Sequence, residues 1–135
     1  METKIIIDGS GAVFGRLASF VAKKALEGNE VIVINSEKTI LTGNKKDIIA
    51  KYSELRKKGG HSLKGPKYSK VPHNMLKRTI RGMLPDHRKG QGKIALSKIK
   101  CYDQIPEELS QEKMVKINAP VKMKYIELKE LSEKI

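Results

Sequence analysis

The sequence predicts an α/β fold, and three observations carry that prediction. Short runs of β-branched residues alternate with stretches in which apolar residues recur at helical spacing. Those runs are apolar throughout, which is typical of strands buried on both faces of a parallel sheet. At 135 residues the chain lies in the usual size range of one domain. We therefore expect residues 1–135 to form a single domain with layers of helix packed on a sheet.

The first three elements form a strand–helix–strand unit. Residues 4–7 predict a short buried strand that ends at a glycine turn over residues 8–11. Apolar residues recur at helical spacing over residues 15–27, and Gly28 stops that helix. Continuous β-branched residues over 30–34 predict a second strand of the same sheet, which completes a βαβ unit.

A short strand and a second helix follow. Residues 39–41 predict the strand. Asn44, with Asp47 three residues later, is typical of a helix N-cap with an acid in the first turn. Ile48 and Tyr52 then lie on one face, and we expect the helix to end at Lys58 before two glycines.

The middle of the chain is irregular and basic. Residues 59–72 have no apolar period and contain a Gly-Pro turn, which predicts an extended loop. Asn74 is the predicted N-cap of a short amphipathic helix that Pro85 ends. A second basic turn is predicted over residues 87–92, where glycines again interrupt the pattern.

The remaining elements are short. Residues 94–98 predict a helical turn, and residues 99–102 predict a further strand. Pro106 stands at a predicted helix start. Apolar and basic residues alternate over 121–125, which favours a final strand, and Leu128 begins a predicted closing helix.

The charge of the chain is concentrated in its middle section. Residues 51–100 carry 15 basic and 2 acidic side chains, whereas the rest of the chain balances at 13 and 13. The middle section therefore supplies the whole net charge of +13. Such a surface attracts a polyanion and releases its counterions on binding, so we expect nucleic acid as the partner. Glycines and prolines interrupt the basic residues, which argues against an amphipathic membrane helix.

Composition limits the other possibilities. No apolar stretch approaches the roughly 20 residues that cross a bilayer, and no signal-peptide pattern begins the chain, so we expect a cytosolic protein. One cysteine, Cys101, excludes an internal disulfide, and we expect it to pack on a strand. The three histidines are 12 and 14 residues apart, which fits no compact metal motif. We expect no bound metal and no small-molecule substrate.

The hypothesis that the protein is an enzyme depends on two weak motifs. Gly9, Gly11 and Gly15 resemble a dinucleotide-binding turn, but their spacing is one residue longer than the fingerprint. We therefore prefer the interpretation that the glycines form a tight strand-to-helix turn. In a third interpretation, Arg16 and the helix N-terminus hold an RNA phosphate. Asp86 beside His87 lacks a nucleophile or partner acid nearby. We expect no enzymatic activity and no cofactor.

The basic section has few aromatic residues and no DNA-binding motif, and this indicates how it binds nucleic acid. Aromatic residues are 4% of the chain, so base stacking is not its main device. Neither a helix-turn-helix pattern nor zinc spacing is present, which leaves recognition of folded RNA by shape and phosphate contacts. The candidate RNA-binding residues combine arginines for bidentate contacts, lysines and histidines as charges, one tyrosine, and a glycine for close backbone approach. They are Arg16, Arg56, Lys57, Lys58, His61, Lys64, Lys67, Tyr68, Lys70, Lys77, Arg78, Arg81, Gly82, His87, Arg88, Lys89 and Lys93.

Five segments together resemble a known family. They read DGSGAVFGRLAS at residues 8–19, VIVIN at 31–35, TG at 42–43, GP at 65–66 and RGMLP at 81–85. In this order they are similar to the large-subunit ribosomal protein thirteen family, and IPEEL at residues 105–109 looks like its archaeal and eukaryotic form.

The resemblance implies more than the residues alone. It implies a three-layer α/β/α fold with a four-stranded, mainly parallel sheet and a basic RNA-binding extension over residues 56–100. It also implies a structural, non-catalytic protein of the large ribosomal subunit, with large-subunit rRNA and neighbouring ribosomal proteins as partners. The basic stretch around RGMLP would be the main RNA contact. Directly after that motif this chain has Asp86, where the family commonly has lysine or histidine.

Overall fold

The structure is a computed structural model that describes residues 4–58, 68–109, 114–117 and 123–135. Within these ranges the strands are β1 (Lys4–Asp8), β2 (Glu30–Ile34), β3 (Ile40–Thr42), β4 (Ile99–Cys101), β5 (Val115–Lys116) and β6 (Tyr125–Glu127). The helices are α1 (Phe14–Leu26), α2 (Lys45–Lys57), α3 (Pro72–Met83), α4 (Gly90–Ser97) and α5 (Leu128–Lys134), with 3₁₀ helices at Ser36–Lys38 and Glu107–Leu109. None of the helices in these ranges combines the length and apolar content that crossing a membrane requires.

The central sheet has four parallel strands in the order β4-β2-β1-β5. Strands β1 and β2 run side by side over their whole length, with Ile6 opposite Ile32, and α1 connects them. The predicted βαβ unit and the four-stranded parallel sheet with flanking helices are confirmed. The apolar runs are strands because a parallel sheet buries both faces of its central members.

The two faces of the sheet differ in what covers them. Ile7, Val33 and Ile99 belong to the main core, which α1, α3 and α4 cover. Ile6 and Ile32 face the other way and pack with Ile34, Leu109 and Met114. The main core therefore lies between the sheet and the helices that carry the basic section.

The predicted strand at residues 39–41 exists as β3, but it lies outside the central sheet. It pairs antiparallel with β6, from Ile40 opposite Glu127 to Thr42 opposite Tyr125. The chain leaves the central sheet at Asn35, whose backbone is left-handed at φ 56°, and then turns through the 3₁₀ helix Ser36–Lys38. The predicted closing helix is confirmed as α5, and the final strand begins at Tyr125.

Helix α2 starts as predicted, whereas α3 does not. The Asn44 side chain accepts a hydrogen bond from the Lys46 N–H at 3.0 Å, which is an N-cap. Helix α3 begins at Pro72, two residues before the predicted cap, so Asn74 lies inside the helix. Asp103 replaces the missing cap, because its carboxylate accepts the His73 N–H at 2.8 Å.

Helix α4 overturns a second local prediction. Residues 90–92 were expected in a basic turn but form the first turn of α4, which extends through the predicted helical turn to Ser97. Gly92 is buried, and a side chain there would collide with the backbone carbonyls of Pro85 and Asp86. The absence of a side chain at Gly92 therefore lets α4 pack directly on the turn that follows α3.

Candidate nucleic-acid interface

Helix α3 separates apolar and basic residues onto opposite faces. Met75, Leu76 and Ile80 are buried in the main core. The polar residues follow the helical repeat, with Asn74, Lys77, Arg78 and Arg81 at positions i, i+3, i+4 and i+7. Burial of one face therefore places three predicted RNA-binding cations together on the other.

These polar side chains line a groove between α3 and α4. The groove has a volume of about 230 Å³ and is lined by Asn74, Lys77, Arg78, Arg81 and Leu96, the last from α4. Among the described residues that line it none is acidic. Cations at these helical spacings repel one another by about 0.2–0.5 kcal/mol per pair, and an anion in the groove would relieve that repulsion. The arrangement suits a phosphate group.

The Arg78 guanidinium lies over the ring of Tyr68, which in turn contacts a second tyrosine. The guanidinium carbon lies 4.3 Å from the ring centroid of Tyr68, within the range of a cation–π contact. Tyr68 in turn meets Tyr52 of α2 edge-on, with ring centroids 5.9 Å apart and an interplanar angle of 62°. Burial raises the pKa of the Tyr52 hydroxyl, and Tyr68 raises it further. A buried residue of α2 thus supports an arginine of α3 through one intervening ring.

The turn between α3 and α4 has its own internal support. The Asp86 carboxylate accepts the backbone N–H of Arg88 at 3.0 Å, a local bond that holds the turn. Arg88 and Lys89 are exposed at this turn, while His87 is half-buried. The acid that follows RGMLP in this chain therefore shapes the turn that presents its basic neighbours.

The other predicted RNA-binding residues are not among those that line the groove. Besides Arg88 and Lys89, seven of them are exposed: three lie at the end of α2, one lies before α3, and α1, α3 and α4 carry one each. They are Arg56, Lys57, Lys58, Lys70, Arg16, Gly82 and Lys93. His61, Lys64 and Lys67, with most of the loop predicted over residues 59–72, lie outside the described residues.

The glycine turn after β1 is filled by the protein itself. The N–H groups of Gly9, Gly11 and Ala12 donate to backbone carbonyls of Ile34, Lys38 and Gly9 respectively. Ser10 N–H donates to the Asp8 carboxylate at 3.0 Å. A side chain at Gly9 would meet the Thr39 side chain, the Ile34 carbonyl and the Leu17 side chain at 3.0–3.3 Å. These four N–H groups are engaged within the fold, so the turn serves packing and is not shaped to hold a pyrophosphate.

Two potentially reactive side chains, Cys101 and His73, are engaged within the fold. Burial raises the pKa of the Cys101 thiol to about 12, with Lys77 lowering it by a smaller amount, so the sulfur stays protonated at neutral pH. His73 Nδ1 lies 3.0 Å from Asp103, whose second carboxylate oxygen caps α3. The His73–Asp103 contacts join the start of α3 to the segment that follows β4.

Sequence reasoning missed four residues that shape this surface. Asn74 and Leu96 line the groove, Tyr52 supports Tyr68, and Asp103 caps α3. The helical spacing of Asn74 with the three cations was the one signal available for Asn74. The other three act through contacts between elements that are distant in sequence.

Comparison with known proteins finds the same family over most of the chain. Residues 2–108 match the family model described as ribosomal protein L13. The chain is 44% identical over 135 residues to the large ribosomal subunit protein uL13 of Methanococcus maripaludis, covering 96% of this chain and 95% of that one. It is 43% identical over 116 residues to uL13 of Thermoplasma acidophilum, covering 86% and 84%. It is 41% identical over 133 residues to uL13 of Methanocaldococcus jannaschii, covering 95% and 94%.

Proposed function

This chain belongs to the ribosomal protein L13 family, and from that membership we propose that it is a structural component of the large ribosomal subunit. In this role it binds large-subunit rRNA, contacts neighbouring ribosomal proteins and supports assembly of the subunit in the cytoplasm. The match to relatives named large ribosomal subunit protein uL13 extends over almost the whole of both chains. The proposed role therefore concerns the complete described fold.

The α3/α4 groove is the observation that carries the RNA-binding part of the proposal. It brings Lys77, Arg78 and Arg81 together with no acid among its described lining residues. Cations placed in this way neutralise phosphates and release condensed counterions, which supplies most of the affinity for a nucleic acid. The low aromatic content favours phosphate and shape recognition of folded RNA over base stacking.

We assign the remaining RNA contacts to the other predicted residues. They are Arg16, Arg56, Lys57, Lys58, Lys70, Gly82, His87, Arg88, Lys89 and Lys93, and Tyr68 joins them through its contact with Arg78. The same assignment covers His61, Lys64 and Lys67, which lie outside the described residues. The arginines suit bidentate contacts to phosphate, and the lysines act as mobile charges.

A non-catalytic role is part of the proposal. The Cys101 thiol has a pKa of about 12, which makes it a poor nucleophile at neutral pH. The carboxylate of Asp103 is engaged by both the ring and the backbone of His73. The chemistry-bearing residues near α3 thus support the fold that presents the groove.

The salt dependence of rRNA binding tests the assignment of the groove. We expect the triple variant Lys77→Ala, Arg78→Ala, Arg81→Ala to reduce the slope of log affinity against log salt by about 2–3 units, because each lost phosphate contact removes about 0.7–0.9. Filter binding to an in vitro transcript of large-subunit rRNA measures this slope.

A matched control removes the same charge elsewhere. Lys38, Lys116 and Lys129 are exposed and lie outside the basic section. Their triple alanine variant should leave the slope close to that of the unmodified protein. Equal losses in the two triple variants would show that net charge binds the RNA and that the groove does not.

A further inference from the structure

We propose that Tyr68 is a positioning residue that holds the Arg78 guanidinium in place for one phosphodiester group of the RNA in the α3/α4 groove. The inference rests on the proposed RNA-binding function and adds the device that orients the arginine. It also assigns Tyr52 a supporting role, although Tyr52 is 8% exposed and does not line the groove.

The geometry joins three residues from separate parts of the chain. Tyr52 lies within α2, Tyr68 precedes α3, and Arg78 lies on the exposed face of α3. The Tyr68 ring meets the buried Tyr52 ring edge-on, and its centroid lies 4.3 Å from the Arg78 guanidinium carbon. Because Tyr52 is fixed in the main core, it restricts the orientation of Tyr68.

The cation–π contact with Tyr68 restricts the position of the Arg78 guanidinium. A guanidinium carries five N–H donors in a rigid planar fork that matches the oxygens of a phosphate. An arginine held in this way loses less side-chain entropy when it binds a phosphate. Arg81 and Lys77 lie along the same groove and add charge, and the Asn74 amide adds a neutral donor.

Leu96 contributes the apolar part of the groove. It is half-buried on α4 and packs against the main core. An apolar wall beside the cations limits the solvent around a bound phosphate, which strengthens its charge-assisted hydrogen bonds. The groove thus offers one phosphate a fixed arginine, further cations and a partly dry wall.

An alternative role for Tyr68 makes a different prediction. Tyr68 could stack directly on an RNA base, and its contribution would then be independent of Arg78. A double-mutant cycle separates the two roles, because coupled residues give non-additive losses. The variants are Tyr68→Leu, which removes the ring, and Arg78→Met, which removes the charge and keeps a long side chain.

In the first arm, filter binding to an rRNA transcript is measured at fixed salt. We expect Tyr68→Leu to weaken binding by about threefold to tenfold, as expected for a cation–π contact of this kind. The same substitution should have almost no effect in the Arg78→Met background. Tyr68→Phe keeps the ring and should bind within about twofold of the unmodified protein. Arg78→Lys keeps the charge but loses the planar fork, so we expect weaker binding with an unchanged salt slope.

In the second arm, inorganic phosphate is the probe and no RNA is present. Side-chain NMR of the arginine Nε–H groups should show saturable shifts of Arg78 and Arg81 on titration with phosphate. In Tyr68→Leu the Arg78 signal should report greater motion and a weaker response, while the melting temperature confirms that the variant folds.

The two arms distinguish failure of this inference from failure of the proposed function. If the unmodified protein does not bind rRNA specifically, the proposed function fails, whatever the phosphate titration shows. If rRNA binding is specific but Tyr68→Leu costs as much with Arg78→Met as without it, Tyr68 does not act through Arg78 and the inference is wrong. An Arg78 signal that is equally ordered in Tyr68→Leu would also overturn it.

Discussion

Replacing Gly82 with alanine should stabilise the free protein and weaken its binding to rRNA. Gly82 is exposed in the last turn of α3, and a side-chain carbon built there meets no heavy atom within 4 Å. Alanine in a helix is more stable than glycine by about 0.5–1 kcal/mol. Gly82 is the second-to-last residue of α3, so we expect a gain in stability at the lower end of that range. Such a gain raises the melting temperature by about 2 °C.

The expected loss of binding has a steric origin. Gly82 directly follows Arg81 of the groove and presents only backbone to the solvent. An added methyl group would hold a closely approaching RNA strand away from the helix, and such overpacking typically costs about 1–3 kcal/mol. A tenfold increase in Kd corresponds to about 1.4 kcal/mol, so we expect a loss of about this size.

Thermal unfolding and filter binding are measured on the same preparations. Ala50→Gly is the matched control. Ala50 is exposed in the middle of α2, and this variant exchanges the same two residue types in the opposite direction. It should lower stability by about 0.5–1 kcal/mol and leave rRNA affinity unchanged. If Gly82→Ala raises the melting temperature and binds rRNA as tightly as the unmodified protein, the RNA does not approach α3 at this point and the steric argument is refuted.

Further predictions concern the contacts that hold the interface in place. Asp103→Ala should destabilise the protein by about 1–2 kcal/mol because α3 loses its cap, whereas Asp103→Asn should lose less because an amide oxygen still accepts the His73 N–H; urea unfolding measures both. Gly92→Ala should cost about 1–3 kcal/mol or more by the same measurement, because its methyl group collides with the backbone carbonyls of Pro85 and Asp86 in the turn after α3, and backbone is costly to displace. Burial raises the pKa of Cys101 from 9.0 to about 12, so the folded protein keeps this proton to a higher pH than the unfolded chain. Stability should therefore fall as the pH rises from about 9 to about 12, and Cys101→Val should flatten that part of the stability profile; an equally steep fall in the variant would assign it to other groups.

Local sequence signals were sufficient where an element is determined by its own residues. The β1-α1-β2 unit follows from apolar runs and one helical period, and its strands and helix lie within one or two residues of the prediction. The N-cap at Asn44 is likewise a local interaction. These elements need no information from distant parts of the chain.

The predictions failed where a distant residue decides the outcome. Helix α3 starts at Pro72 because Asp103, 30 residues from His73, supplies the cap that Asn74 was expected to provide. The sequence predicts strand β3 but not its partner, because β3 pairs with β6, which lies more than 80 residues away. Neither the cap nor the pairing leaves a pattern in the neighbouring sequence.

The candidate interface also combines residues that the sequence predicts with residues that only the fold brings together. The concentration of charge identified Lys77, Arg78 and Arg81 directly from composition. Tyr52 and Leu96 contribute through packing between helices, and their apolar character alone indicates only that they are buried. The charge of the surface is therefore visible in the sequence, while its shape depends on the fold.

Gradient sedimentation of a cell lysate tests the central claim most directly. A structural component of the large ribosomal subunit should sediment with that subunit and, at magnesium concentrations that keep ribosomes intact, with whole ribosomes. High salt should release it only under conditions that also strip other rRNA-bound proteins, because phosphate contacts dominate its binding. A protein that remains at the top of the gradient, apart from the large subunit, would contradict the account.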